Sequence, residues 1–325
     1  MDQLDKNIIS QLMGCSRKSF RSIADSLGIS CPTVKKRVER LRQFGVIQRF
    51  SVEMAQETLG TRYVIAELAT DGAGQKAEFL QKFDEHECIR EVLTLSNGHY
   101  LLFAEVTPNE KAQCKEFLES LPDLESSRVS YINQIPSETV GGQCKFAKKG
   151  EKVDLTKEEL ELLWYLVRNS RVPIKTLSRQ TGYTIKQVRR IVGQILQNPG
   201  IHFTTHLNLV ASGDINIVLA ADCEDISTPA KIALHLSKRF PQEHWFSMNT
   251  IDRNTLYSYM TTKHLAQVEQ IMESTQTYPN VYNVDAKIVY SVLKSEGRSE
   301  QFINDFAADQ LRLITRNNRK RFSGL

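Results

Sequence analysis

Residues 16–41 read SRKSFRSIADSLGISCPTVKKRVERL, and this stretch predicts two helices joined by a tight turn. The first helix is expected over Ser19 to Leu27 and ends at Gly28, because glycine reaches the positive φ of such a turn at little cost. Ser30 is placed to cap the second helix, and Pro32 falls in its first turn, where a missing N–H is harmless. With the amphipathic helix expected just before it, the stretch predicts a helix-turn-helix domain.

The second of these helices has one apolar face and one basic face. Val34, Val38 and Leu41 recur at the spacing of a buried helical stripe. The opposite face is rich in lysine and arginine, as in a recognition helix that enters the major groove of duplex DNA; a merely solvated charged face is the alternative. GVIQRFSVEM, from Gly45, reads as two short strands of a wing. The residues expected to contact DNA are Ser30, Thr33, Lys35, Lys36, Arg37, Arg40 and, on the wing, Arg49, with Arg17, Lys18 and Arg21 as further phosphate contacts.

The same pattern recurs later in the chain. SRVPIKTLSRQTGYTIKQVRRIVGQI, residues 170–195, aligns without gaps to residues 16–41 at an offset of 154. This second copy is expected to be the weaker reader, because Gly193 interrupts its helix and Pro199-Gly200 replaces a smooth entry to the wing. A copy that has lost DNA binding stays an alternative. Its candidate DNA contacts are Lys186, Gln187, Arg189 and Arg190.

The region behind each winged helix also repeats. Both copies continue in the order β-α-β-β-α-β, which is typical of a ferredoxin-like antiparallel sheet with helices on one face. The fold class is therefore predicted as α+β, two winged helix-turn-helix domains alternating with two ferredoxin-like domains. The predicted divisions are 1–60 and 61–140 for the first pair of domains, 141–153 for a linker, 154–210 and 211–297 for the second pair, and 298–325 for a C-terminal amphipathic helix and basic tail.

Composition favours a protein of the cytoplasm. Of the 325 residues, 41% are hydrophobic and 25% charged, and the net charge is only +4. No apolar run approaches the roughly 18 residues of a membrane-spanning helix, and the N-terminus has no secretory apolar core, so no membrane partner is expected. None of the six cysteines forms a C-x-x-C pair, so no metal site and no disulfide framework are predicted, and no cofactor is expected.

The segments LDKNIISQL and SIADSLGISCPTVKKRVERLRQFGVI resemble the winged-helix domain of Lrp/AsnC (feast/famine) transcription regulators. The unit behind them resembles that family's regulatory (RAM) domain. The resemblance implies a sequence-specific DNA-binding regulator in which Thr33, Lys36, Arg37 and Arg40 touch DNA. It also implies a small-molecule effector, an amino acid or similar metabolite, bound by the regulatory domain at an oligomer interface.

The family's effector site surrounds a turn between the second and third strands of the sheet. Here that turn is expected at Ser96, Asn97, Gly98, His99 and Tyr100. Gly98 and Tyr100 match the family's pattern, whereas His99 stands where an aspartate is usual. The corresponding turn of the second copy has no glycine. An effector is therefore expected beside the first turn, where glycine allows close backbone approach.

The chain is not expected to be an enzyme, because it has no G-x-S-x-G, P-loop or H-E-x-x-H motif. One enzymatic alternative stays open, since siroheme decarboxylases are built from two Lrp/AsnC-like halves. The candidate tetrapyrrole ligands or proton donors would then be His99, His202, His206, His235, His244 and His264. A redox-sensing alternative rests on Cys31, at the start of the recognition helix, where oxidation would block docking.

In the family the regulatory sheets pair across subunits. A tandem chain is expected either to make that pairing internally, as a pseudo-dimer, or to assemble into a homo-oligomer. In both cases one chain carries two unequal DNA-binding heads, because the outward positions differ: Thr33 corresponds to Gln187, and Lys36 to Arg190. The operator is therefore expected to be asymmetric, or to contain one strong and one weak half-site.

Overall fold

Three helices form the first head, as predicted. The computed structural model describes residues 1–70, 80–83, 86, 88–121, 124–135, 154–294 and 299–305. The helices are α1 (Gln3–Gly14), α2 (Phe20–Leu27) and α3 (Cys31–Gln43). Ser19 and Ser30 each accept a hydrogen bond from the backbone N–H three residues on, which caps α2 and α3. Gly28 ends α2 with a φ of +65°. The buried stripe of this head includes Ile8, Ile9, Leu12, Ile23, Val34, Val38 and Leu41.

The second head repeats this arrangement with α7 (Lys157–Leu166), α8 (Ile174–Thr181) and α9 (Ile185–Gln197). A capping box of Thr184 and Gln187 starts α9. The expectation that Gly193 interrupts this helix is wrong, because α9 runs unbroken through it. A glycine inside a helix costs only about 1 kcal/mol, and the apolar stripe outweighs that cost by burying Val188, Ile191, Val192 and Ile195.

The wing is built from both copies. GVIQRFSVEM was expected to fold back on itself, but it forms one strand, β1 (Ile47–Met54), which pairs antiparallel with β6 (Ile201–Leu207) of the second copy. After Gly45 the segment has no glycine, proline, asparagine or aspartate to make a hairpin turn, so it stays extended. We call this two-stranded sheet the ribbon. It places one strand from each head at the centre of the molecule.

Two four-stranded sheets close into a single barrel. The first copy contributes α4 (Gln56–Leu59), β2 (Arg62–Thr70), α5 (residues 80–83), β3 (Ile89–Leu95), β4 (His99–Val106), α6 (Glu110–Glu119) and β5 (Leu124–Ile135). The second contributes β7 (Ile215–Cys223), α10 (Thr228–Arg239), β8 (His244–Thr250), β9 (Thr255–Thr262), α11 (Leu265–Gln276) and β10 (Val281–Lys294). The strand order is β10-β3-β4-β2-β5-β8-β9-β7, closed by pairing of β7 with β10. The edges of the two sheets meet at β5–β8 and β10–β3, so the two copies pair with each other inside one chain.

The helices of the ferredoxin-like copies pack on the outer faces of the barrel, and its inside joins the core of the first head. Ile65, Leu93, Val218 and Trp245 belong to the same buried cluster as the stripe of α1 and α3. Residues 299–305 form a last helical segment, α12. Its Ile303 is buried in the core of the second head. The predicted linker, 141–153, lies outside the described residues, as does the basic tail.

An exchange of arginines marks the pseudo-two-fold relation between the heads. Arg17 donates from Nη1 to the carbonyl oxygen of Val172 at 3.1 Å, and Arg171 donates from Nη1 to that of Lys18 at 3.0 Å. Arg17 and Arg171 are equivalent positions, 154 residues apart. The Ser16 and Ser170 hydroxyls, also equivalent, hydrogen-bond to each other. Arg17 therefore joins the heads and does not occupy the phosphate-contacting position predicted for it.

Candidate nucleic-acid interface and central cavity

The N-terminal end of α3 is held by its own cap. The Ser30 hydroxyl oxygen accepts from the Thr33 backbone N–H at 3.2 Å, and the two side-chain oxygens lie 2.7 Å apart. Both side chains are therefore fixed at the helix start, where a recognition helix approaches base edges. Lys35 and Lys36 are exposed on the outer face, and neither forms an ion pair with another described residue.

The arginines of α3 are partly neutralised by α1. Arg37 Nη1 lies 2.6 Å from Asp2 Oδ2 and 2.8 Å from Asp5 Oδ1, and Arg40 Nη2 lies 2.6 Å from Asp5 Oδ2. Burial alone would raise the pKa of Asp2, but hydrogen bonds from Arg37 and from the Asp5 backbone bring it below its ordinary value. The side chain of Arg40 remains 47% exposed, so it can still reach a phosphate, with its charge reduced by the pairing.

The basic residues of α9 differ from those of α3 in this respect. Lys186, Arg189 and Arg190 are exposed, and no carboxylate among the described residues lies within ion-pair distance of them. Arg190 donates to the Gln194 amide oxygen at 2.9 Å. The Gln187 amide oxygen accepts from Thr184 N and Oγ1, both at 2.8 Å, which leaves its NH₂ group free to face a groove. The second head therefore presents the less neutralised cationic surface, although its sequence suggested the weaker reader.

Arg49 is not where the sequence placed it. Its side chain lines an internal cavity and forms an ion pair with Glu300 of α12 at 2.8 Å. The predicted position beside the phosphate backbone assumed a local hairpin whose tip projects outward. Because β1 instead pairs with β6 at the centre of the molecule, Arg49 faces inward.

The predicted effector turn does not gather its five residues around one pocket. Asn97 and Gly98 have positive φ values of 60° and 71°, and the Gly98 carbonyl oxygen accepts from Thr70 Oγ1 at 2.9 Å. The backbone N–H of Ile288, on β10 of the other copy, donates to Ser96 Oγ at 3.3 Å. Tyr100 is 6% exposed in the core beneath the helices. Because successive side chains of a strand alternate, His99 faces the other side of the sheet. There, burial and the Lys287 ammonium lower the pKa of His99.

A cavity of about 240 Å³ lies between the ribbon and the neighbouring end of the barrel. No sequence pattern indicated it, because its walls come from many segments that are far apart along the chain. The ribbon contributes side chains from β1 and β6, the barrel from β2, β3, β4, β8, β9 and β10, and α12 closes one side. Its charged and aromatic lining residues are Arg49, Glu53, Tyr63, Arg90, Glu91, Glu105, His206, Trp245, Phe246, Tyr259, Lys294 and Glu300.

Acidic and basic side chains are paired around this cavity. Lys294 Nζ lies 3.3 Å from Glu91 Oε2, His206 Nε2 3.4 Å from Glu53 Oε1, and Arg90 Nε 3.9 Å from Glu105 Oε2. Burial would raise the pKa of Glu53, but hydrogen bonding to His206 and the charges nearby bring it below its ordinary value. Burial and the Glu105 carboxylate raise the pKa of Tyr63 well above its usual range.

The cavity also has an aromatic wall and a helical wall. The rings of Phe246 and Tyr259 stack with centroids 5.5 Å apart and an interplanar angle of 15°. On the side of α12, Ser299 Oγ accepts from the backbone N–H of Met54 at 2.8 Å. Arg168, which follows α7, donates to Asn304 Oδ1 at 2.6 Å. α12 therefore contacts the ribbon and the second head at once.

The six histidines of the enzymatic alternative are dispersed. His202 and His206 lie on β6, of which His206 lines the cavity. His244 is buried on β8, where burial lowers its pKa to about 4, and His99 lies on β4. His235 on α10 contacts the Ser274 hydroxyl, and His264 is the exposed N-cap of α11. Within the described ranges no three His, Cys, Asp or Glu side chains are grouped so as to hold a metal ion, and no helix is long and apolar enough to cross a bilayer.

Comparisons with known proteins agree with this architecture. The AsnC-type helix-turn-helix domain matches residues 1–42. An uncharacterised HTH-type transcriptional regulator of Pyrococcus furiosus is 30% identical over 144 residues, which are 95% of that protein and 42% of this chain. The HTH-type transcriptional regulator LrpA of Pyrococcus horikoshii is 29% identical over 135 residues, 90% of its length and 42% of this chain. Relatives that are nearly fully matched thus correspond to less than half of this chain, as a duplication requires.

The comparison with solved structures includes a match to nearly the whole chain. It is the siroheme decarboxylase NirDL, 11% identical with a TM-score of 0.57 over 95% of this chain and 99% of that chain. At this identity the likeness establishes a shared tandem fold and leaves the chemistry of the site to be argued from the residues.

Proposed function

Because the chain belongs to the Lrp/AsnC family of transcription regulators, we propose that it binds duplex DNA sequence-specifically through both recognition helices, α3 and α9. The observation that carries the proposal is the pair of outward cationic helix faces, each capped at its N-terminus. The ribbon and the arginine exchange hold the two faces in a fixed relation. A regulator that reads two half-sites needs such a fixed spacing.

Each helix would contact both bases and phosphates of its own half-site, through different residues. On α3 the Thr33 hydroxyl would face base edges, while Lys35 and Lys36 contact phosphates. On α9 the Gln187 amide would face bases, with Lys186 and Arg190 on the backbone. Since hydroxyl and amide groups offer different donors and acceptors to the groove, the two half-sites should differ in sequence.

The internal pairing of the two copies would supply two heads without a second chain. We infer that one chain is sufficient to bind an operator, and that the protein works in the compartment that holds DNA, the cytoplasm of organisms such as those of its relatives. We also propose that it is a regulator and not an enzyme. A tetrapyrrole carries several carboxylates and needs a larger and more basic site than a cavity of about 240 Å³ in which carboxylates outnumber arginine and lysine.

The test is a binding experiment on sites selected by the protein itself. Duplexes enriched from fragmented genomic DNA are titrated with wild type and with Lys36→Ala/Arg40→Ala/Lys186→Ala/Arg190→Ala. The matched control, Lys231→Ala/Lys238→Ala, removes exposed lysines from α10. We expect the fourfold variant to lose at least about a hundredfold in affinity and the control to be unchanged. Equal binding by all three folded proteins would contradict the proposal.

Two further measurements separate the alternatives. The fourfold variant is divided into Lys36→Ala/Arg40→Ala on α3 and Lys186→Ala/Arg190→Ala on α9. The footprints of these two variants should shorten on opposite sides of the site if each helix reads its own half-site. Addition of iron-containing tetrapyrrole to the purified protein should leave the absorption spectrum as the sum of the two components. A shifted Soret band that is lost in His206→Ala would instead favour the decarboxylase.

A further inference from the structure

The central cavity lies between the two DNA-binding heads and the barrel, which are the parts that a regulatory ligand would have to connect. Its ribbon wall belongs to both heads, its opposite wall is the barrel, and α12 closes the side between them. The effector turn predicted from the family's pattern lies elsewhere, against Ile288 of β10. A molecule bound in the cavity would contact both heads and the barrel simultaneously.

The balance of charge in the cavity selects the sign of its ligand. Glu53, Glu91, Glu105 and Glu300 line it, against the basic side chains of Arg49, Arg90 and Lys294. Counting arginine and lysine alone, the described lining thus carries one more carboxylate than base, and His206 beside Glu53 adds a positive charge only when it is protonated. An excess of charge of one sign in a partly enclosed site is unfavourable. A ligand with a single positive charge would balance the lining, whereas an anion would add to the excess.

Among the described lining carboxylates, Glu53 is the one without an arginine or lysine within ion-pair distance. Glu53 lines the cavity from β1, and 41% of its side-chain surface is accessible. Its ion-pair partner is an imidazole, whereas the other three carboxylates each face an arginine or a lysine. An ammonium or guanidinium group is therefore expected to bind at Glu53.

The remaining lining suits the body of such a molecule. The Tyr63 hydroxyl makes no hydrogen bond to another described residue, and its raised pKa keeps it a neutral donor and acceptor. Trp245 and the stacked Phe246 and Tyr259 supply aromatic surface, which attracts cations and apolar groups alike. A volume of about 240 Å³ equals roughly eight waters at about 30 Å³ each, so the molecule is small.

We propose that the central cavity binds a small organic monocation, an amine or guanidine with a short apolar or aromatic body, whose cationic group pairs with Glu53. Occupancy of the cavity stabilises the packing of the ribbon on the barrel and thereby changes the affinity of the heads for DNA. The coupling rests on the proposed DNA-binding function, whereas ligand binding itself does not.

A series of ligands matched in shape and different in charge tests the site. Calorimetric titration of the full chain uses tyramine as the cation, tyrosine as the zwitterion, 4-hydroxyphenylacetate as the anion, and n-butylguanidine as a second, aliphatic cation. We expect tyramine or n-butylguanidine to bind at least about tenfold more tightly than the zwitterion and the anion. Tighter binding of the anion or zwitterion than of both cations, or no binding of either cation, would overturn the proposal.

Substitutions at Glu53 and at a control position test whether the cation binds in the cavity. Glu53→Gln keeps the shape and removes the charge, and it should weaken cation binding by about ten- to a hundredfold, as expected for loss of a charged hydrogen bond. Glu273→Gln, an exposed carboxylate of α11, is the matched control and should bind like wild type. Equal loss in both variants, or none in Glu53→Gln, would contradict the assignment. If Glu53→Gln does not fold, Tyr63→Phe replaces it, with a smaller loss of about three- to tenfold expected.

The DNA arm of the experiment keeps the two proposals distinct. DNA affinity is measured with and without saturating cation in wild type and Glu53→Gln. A change in wild type alone supports the coupling, and no change in either refutes the coupling while leaving the binding site. Cation binding by a protein that binds no DNA would refute the proposed function and support the site.

Discussion

The two recognition helices have the same fold but differ in how far neighbouring carboxylates neutralise their basic side chains. On α3, Arg37 and Arg40 are paired with Asp2 and Asp5 of α1. The positions equivalent to these aspartates in the second head, Thr156 and Glu159, form the capping box of α7. Those equivalent to the arginines are Ile191 and Gln194. Duplication thus preserved the cap, which needs only suitably placed oxygens, and did not preserve the ion pairs.

This difference shows why counting basic residues misjudges a DNA-binding face. The first head has more lysine and arginine on its recognition helix, but part of that charge is used within the domain. The second head has fewer, and they remain available. Binding of phosphates depends on charge that is not already compensated.

The largest expected effect is a loss of stability when the equivalent cores of the two heads are disrupted. Leu12 and Leu166 are equivalent, and both are fully buried. Replacing either by alanine removes the same packing from the same place, so each variant should lose about 2–5 kcal/mol of unfolding free energy. Urea denaturation measures this loss. A cost below about 1 kcal/mol in one head only would show that the two cores are not equivalent.

Acid should destabilise the protein through a buried histidine of the second ferredoxin-like copy. His244 of the second copy is buried, and burial lowers its pKa from 6.5 to about 4. The unfolded chain takes up this proton near pH 6.5 and the native protein only near pH 4, so stability falls as the pH is lowered between these values. The loss is on the order of 3 kcal/mol. His244→Gln should flatten the dependence of unfolding free energy on pH, whereas His264→Gln, at an exposed site, should retain the slope of wild type.

The difference in unpaired positive charge predicts which head, when its basic residues are removed, causes the larger loss of DNA affinity. Lys186→Ala/Arg190→Ala should reduce affinity for a selected duplex by about ten- to a hundredfold and lower the salt slope by up to about 2. Lys36→Ala/Arg40→Ala should have the smaller effect, because Arg40 is already paired with Asp5. Fluorescence anisotropy over a range of salt concentrations measures both quantities. The reverse order would mean that DNA displaces the aspartates and recovers the full charge of α3.

The smallest expected effect is an increase in DNA affinity. Asp2→Asn keeps an N-cap side chain that suits α1 and removes one of the two carboxylates from Arg37. DNA affinity should rise about two- to fivefold with a steeper salt dependence, while stability changes by less than about 1 kcal/mol. Asp252→Asn, an exposed aspartate between β8 and β9, controls for the change in net charge. An equal rise in both variants would attribute the effect to long-range charge alone.

Local structure was predictable from the sequence because its determinants are local. The glycine at the end of α2, the serine cap of α3 and the stripe of Val34, Val38 and Leu41 act within a few residues, and the structure has them as expected. The repeat at an offset of 154 likewise predicted both α+β copies.

Pairing between distant segments was not predictable in this way. Nothing within GVIQRFSVEM specifies that its partner is β6, some 150 residues away along the chain, so the segment alone predicts a hairpin with Arg49 on the outside. The cavity depends on that same pairing. Its walls come together only when the ribbon, the barrel and α12 have assembled. No short sequence motif predicts contacts between such distant segments.

The closure of the barrel within one chain changes how the assembly responds to protein concentration. A pair of separate subunits dissociates on dilution by mass action, and mixed pairs form when related subunits share a cell. Here the second copy is always present at the high effective concentration set by its covalent connection. Two heads of fixed identity should therefore remain side by side even at a few molecules per cell, and neither can exchange its partner for that of a related regulator.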